Sequence, residues 1–155
     1  MNKKFMRQAI ALSIDNVKQN KGGPFGAVVV KDGKVIATGA NCVTSDNDPT
    51  AHAEVTAIRN ACKELGTFQL DDCEIYTSCE PCPMCMGAIY WARPKAVYYG
   101  NTKADAAEID FDDQFIYDEL ERPLNKRNLQ IKQLLRDEAL TAFQLWQKNT
   151  EKTTY

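Results

Sequence analysis

The segment FGAVVVKDGKVIATG, Phe25 to Gly39, constrains the fold more than any other stretch of the chain. Asp32-Gly33 stands between two runs rich in β-branched residues. An Asp-Gly pair is favoured where both central residues of a two-residue turn take positive φ, so the segment predicts an antiparallel hairpin. Around it the apolar spacing is helical. Residues 2–20 repeat Met6, Ile10, Ile14 and Val17, with Phe5, Ala9 and Leu12 widening the stripe, and Gly22-Gly23-Pro24 stops that helix. A polar loop, VTSDNDPT, runs from Val43 to Thr50.

A second helix is predicted from Ala51 to Leu65, with Val55, Ile58, Cys62 and Leu65 on its buried stripe and Gly66 at its end. CEIYTS then reads as a strand, Pro83 opens a third helix that runs to Pro94, and KAVYYG is another strand. Past Gly100 come an acidic stretch from Asp105 to Glu119, a fifth strand at NLQIKQLL, and a last helix holding Leu140, Phe143 and Trp146. Strands alternating with helices after a hairpin predict a single α/β domain over 1–155, with a mixed five-stranded sheet. The hairpin supplies its antiparallel pair and the helix-linked strands its parallel part.

Hydrophobic residues make up 44% and charged residues 26% of 155 residues, enough apolar content for a core and too much for disorder. A net charge of −2 gives no basic footprint for nucleic acid. No apolar run approaches the roughly 18 residues of a membrane span. The N-terminal apolar run is broken by Arg7 and Asp15 and lacks a small-residue cleavage site, so no signal peptide is read and a cytoplasmic location is expected. In that setting the six cysteines suit metal binding or burial better than disulfides.

The chemistry centres on the only histidine, His52, two residues before Glu54. Downstream, Cys82 and Cys85 form a C-x-x-C where a strand gives way to a helix. N–H groups at a helix start favour the thiolate that a metal binds. At a first turn the side chains lean over the open helix end, so His52 and Glu54 serve one centre only if it lies beyond that tip. One imidazole and two thiolates make three ligands, which suits a catalytic zinc that keeps one position open, whereas structural zinc is closed by four. Glu54, partly desolvated, is placed to carry the proton of a zinc-activated water. Cys79 leaves other readings open. Cys79, Cys82 and Cys85 resemble an iron–sulfur run that lacks its fourth cysteine, C-x-x-C is also a redox motif, and Cys79 could close a structural zinc. A redox pair leaves His52 and Glu54 without a task, and H-x-E followed by P-C-x-x-C is the signature of zinc deaminases.

With these motifs the chain resembles the cytidine deaminase-like superfamily, and within it the small bacterial guanine deaminases, which convert guanine to xanthine and ammonia. GGPFGAVVVKDG, NDPTAHAEVTAIR, YTSCEPCPMC, GAIYWARPKAVYY, FDDQFIY and the terminal Tyr155 carry the resemblance. It implies a three-layer α/β/α sandwich and one zinc ion per subunit on His52, Cys82 and Cys85. It implies Glu54 as proton shuttle, Asp113 facing the amino group of the base, and Asn41 holding the base. Phe25 and Trp91 would line the pocket, and the amides near Ala53 and Cys82 would hold developing charge. It further implies a homodimer that exchanges its C-terminal segment, about 137–155, so that Tyr155 closes the neighbour's pocket. The region from Glu121 to Lys132 departs most from the family pattern. A tRNA adenosine deaminase shares the fold and motifs but needs a basic entrance for its anticodon loop. A zinc-stabilised binding module is the non-enzymatic alternative.

Overall fold

The computed structural model describes all 155 residues, Met1–Tyr155. They form two compact units, Met1–Asp113 and Gln114–Tyr155. The first holds a four-stranded sheet. Its strands are β1 (Gly26–Lys31), β2 (Lys34–Ala40), β3 (Cys73–Cys79) and β4 (Ala96–Asn101), in the order β2-β1-β3-β4. Both β2 and β3 run antiparallel to β1, and β4 runs parallel to β3. The mixed sheet follows from the chain's connections. Asp32 and Gly33 take φ of 49° and 72° and close the β1–β2 hairpin, while helical crossovers join β2 to β3 and β3 to β4.

Strand alternation sends the two faces of the sheet to different helices. Val28, Val30 and Tyr76 pack with Phe5 and Ala9 of α1 (Lys3–Lys18). Ala27, Val29, Ala37 and Ile75 pack with Ala53, Ala57 and Ala61 of α3 (Ala53–Leu65) and with Ile89 and Ala92 of α4 (Pro83–Ala92). Small residues set the distance on the second face. A Cβ on Gly39 of β2 would meet the carbonyl of Ala53 and, at 2.5 Å, the amide of Ala57. Only glycine lets β2 and the first turns of α3 come this close.

The structure corrects several expectations. The buried face of α1 is Phe5, Ala9, Ser13 and Asn16, while Ile10, Ile14 and Val17 face solvent. Two apolar stripes compete on this helix. The one that wins carries Asn16, whose side-chain amide finds two carbonyl acceptors inward. Residues 43–46, expected to be loop, form the single turn α2 (Val43–Asp46). In the acidic stretch lies α5 (Lys103–Ala107), closed by a capping box between Thr102 and Asp105.

The sheet has four strands, not five: residues 128–135 pair with no strand. A strand exists only through its ladder. Here the Asn128 amide donates instead to the Glu119 carboxylate, and Arg127 donates to the carbonyls of Leu120 and Arg122. These bonds tie the start of the segment back to α6 (Gln114–Glu121) within the second unit. That unit also holds α7 (Arg136–Lys148). No helix is long and apolar enough to cross a membrane.

Candidate metal centre and catalytic site

Sheet direction explains why residues distant in sequence meet. Because β2, β3 and β4 all run the same way, their carboxyl ends share one edge, where ligands of open α/β sheets bind. Asn41 leaves β2 at that edge, α3 and α4 start from it, and β1 enters there just after Phe25. His52 is the N-cap of α3, with extended φ and ψ of −69° and 159°. Cys82 is the N-cap of α4, followed by Pro83, whose fixed φ and missing N–H suit the first helical position. Cys85 lies one turn further and is buried.

The ligand atoms of His52, Cys82 and Cys85 all lie within 4.8 Å of one another. His52 Nδ1 is 3.5 Å from each of the two sulfurs. Nitrogen and sulfur bound at about 2.0–2.1 and 2.3 Å in a tetrahedral set stand about 3.5–3.6 Å apart, so these donors already have the spacing zinc requires. Without metal the sulfurs share a proton unequally. Contacts with Cys85 and with His52 pull the Cys82 thiol down to about 4. Cys85 is correspondingly pushed up, first by its contact with Cys82 and then by burial. A metal binding here displaces that proton. Cys79 stands outside the set. Its thiol donates to the Thr102 carbonyl at 3.6 Å, and burial raises it to about 11.

Glu54, in the first turn of α3, is only 5% exposed. Burial raises its pKa, and hydrogen bonds from Thr77 and Cys85 pull it partly back. Thr77 Oγ1 donates to Oε1 at 2.9 Å, and Cys85 Sγ approaches Oε2 at 3.4 Å. One carboxylate oxygen is thus anchored and the other lies beside the metal donors. Thr77 was not singled out from the sequence. Its alternation with Ile75 in β3, toward the face covered by α3, is the signal that finds it.

Asp113 is half-buried, and its pKa is raised by burial and by the charge of Cys82. Asn41 is buried, and Phe25 meets Phe111 edge-on with ring centres 5.0 Å apart. Ala53 is the first residue of α3, whose amide has no acceptor within the helix. Trp91 lies at the other end of α4 from Cys82, about 13 Å along the helix axis, and is 65% exposed. Tyr155 belongs to the second unit and is exposed.

Comparison with known proteins finds a zinc-binding family. The family model for the cytidine and deoxycytidylate deaminase zinc-binding region matches residues 1–101. The guanine deaminase of Bacillus subtilis strain 168 is 58% identical over 151 residues, 97% of each chain. The X-ray structure of guanine deaminase from Bacillus subtilis superposes with a TM-score of 0.97 at 57% identity, covering 100% of this chain and 99% of that one. A tRNA-specific adenosine deaminase of Agrobacterium fabrum is 49% identical over 77 residues, half of this chain and 51% of its own length. With three candidate metal donors converged at two helix starts, the chain belongs to the cytidine and deoxycytidylate deaminase zinc-binding family.

Proposed function

We propose that this protein is a zinc-dependent guanine deaminase that hydrolyses guanine to xanthine and ammonia. Relatives that match along nearly the whole chain support the substrate, since the match to the tRNA-acting relative stops at half of it. The observation that carries the chemistry is the juxtaposition of three metal donors with one buried carboxylate. Three protein donors leave a fourth tetrahedral position open.

His52, Cys82 and Cys85 would hold the zinc, which would supply the Lewis acidity that makes water a nucleophile near neutral pH. Glu54 takes the proton of the attacking water and returns it to a ring nitrogen of the base; its buried setting keeps its proton affinity high enough for both transfers. A C2–O bond forms. The second proton of the attacking water passes through Glu54, with Asp113, to the amino nitrogen; the bond from C2 to that nitrogen breaks, ammonia leaves and the C2 carbonyl of xanthine forms. Asn41 holds the base, Phe25 forms one wall, and the amides of Ala53 and Cys82 face the developing negative charge. Trp91 stands away from the donors, so its place in a pocket wall depends on a second copy of the chain.

That second copy is the natural cover for the unit Gln114–Tyr155. None of its residues is buried, and Phe115, Leu129, Leu134 and Phe143 are all exposed, Leu134 at 82%. A homodimer that exchanges its C-terminal segment, about 137–155, covers side chains of this unit such as Phe143 and brings Tyr155 to the partner's pocket.

Ammonia release from guanine, an anticodon stem-loop, cytosine and cytidine tests the substrate. Release from guanine alone is expected. Glu54→Gln should keep one zinc per chain and lower turnover by about 10²–10⁴-fold. Release from the stem-loop and not from guanine identifies a tRNA deaminase. No release from any of them, with zinc bound, identifies a binding module.

A further inference from the structure

We infer that Asn16, in α1 on the opposite face of the sheet from the metal donors, is a positioning residue for substrate binding that acts through Asn41. The inference rests on the reading of Asn41 as the side chain that holds the base. Asn16 is buried, and its carboxamide nitrogen spends both hydrogens on main-chain carbonyls. One goes to Gly23 at 2.8 Å and the other to Asn41 at 2.9 Å. The Asn41 amide in turn donates to the Phe25 carbonyl at 3.1 Å. The backbone of Asn41 is therefore clamped between α1 and the residue that leads into β1.

The side chain of Asn41 is oriented by the same cluster. Its Oδ1 accepts from the amides of Gly23 and Val43, each at 3.3 Å. With the oxygen occupied, only the Nδ2 hydrogens remain for a ligand. Asn41 is thus presented as a donor, and the base must offer it an acceptor. Gly22 makes the clamp tight, since a Cβ there would strike the Asn41 carbonyl. A Cβ on Gly23 would lie 3.2 Å from the Phe25 ring and 3.3 Å from Phe111, so the loop that Asn16 holds also backs the aromatic wall.

Removing the Asn16 amide frees the Gly23 and Asn41 carbonyls together. The Gly23 amide then moves away from Oδ1, and the Asn41 carboxamide loses its fixed polarity. The effect belongs to binding, because the hydrogen bonds of Asn16 run to Gly23 and Asn41 and not to Glu54 or the metal donors.

A double-mutant cycle separates this role from simple stapling of a helix end. Asn16→Ala, Asn41→Ala and the double variant are made in a zinc-loaded Glu54→Gln background, and guanine binding is measured by calorimetry. Asn16→Ala should weaken guanine about tenfold, the weight of one hydrogen bond. The double variant should bind no more weakly than Asn41→Ala alone. In the active background, kcat of Asn16→Ala should stay within about threefold while KM rises. If the single effects multiply in the double variant, Asn16 does not act through Asn41 and the inference is overturned. The same holds if kcat falls with KM unchanged. Should the Glu54→Gln parent not bind guanine at all, the substrate reading fails and takes this inference with it. If Asn16→Ala does not fold, Asn16→Ser takes its place in the cycle.

Discussion

At the scale of single residues, Glu54 shows what its setting does to a carboxyl group. Burial disfavours its charged form more than the Thr77 and Cys85 hydrogen bonds restore it, so its folded pKa lies above the unfolded value near 4.5. A raised pKa means that the folded state holds the proton more tightly. The resulting stabilisation is complete below the unfolded pKa and is lost as pH rises through the folded one. Glu54→Gln removes this titration. In protein stripped of metal by a chelator, the melting temperature of Glu54→Gln relative to wild type should therefore climb as pH rises above about 4.5, the unfolded value. A difference that stays flat over that range contradicts the assignment. Thr77, which bonds to Glu54, carries only the signal of its strand alternation with Ile75, and Asn16, which bonds to the Asn41 carbonyl, carries none. A threonine in a strand and an asparagine in a helix are ordinary, and their roles follow only from what folds against them.

At the scale of elements, the close approach of β2 to α3 sets where the first turn of α3, and with it His52 and Glu54, stands relative to α4. Gly39→Ala puts a methyl group against the Ala53 carbonyl and the Ala57 amide. Overpacking of this kind should destabilise the zinc-loaded protein by about 1–3 kcal/mol in urea unfolding. An unchanged midpoint means that β2 and α3 have room to spare. Elements with punctuation were readable in the sequence: the hairpin from Asp32-Gly33, α3 from the stop at Gly66, and α4 from Pro83. The helix α1 was readable in extent but not in facing, because packing against β1 and the acceptors of Asn16 chose between two apolar stripes. The segment NLQIKQLL has strand composition but no ladder, and composition alone does not supply one.

At the scale of the whole molecule, the candidate donor set was legible before the fold, since H-x-E followed by P-C-x-x-C is the signature of zinc deaminases. What stayed hidden was why they meet: the parallel course of β2, β3 and β4 brings the starts of α3 and α4 to one edge. The second unit raises the question of assembly. If the segment of about 137–155 crosses to a second copy, a Glu54→Gln chain mixed with a chain lacking Tyr155 should regain activity in the mixed dimer, where one pocket is whole. Mixtures no more active than their parents, or a monomer by light scattering, contradict the exchange.

The account depends most on a zinc held by three protein donors with one position left to solvent. X-ray absorption at the zinc edge of the purified protein measures this directly. The account predicts one zinc per chain with two sulfur neighbours at about 2.3 Å and two lighter ones at about 2.0–2.1 Å. A third sulfur neighbour, or protein isolated without chelator that carries no zinc, contradicts it.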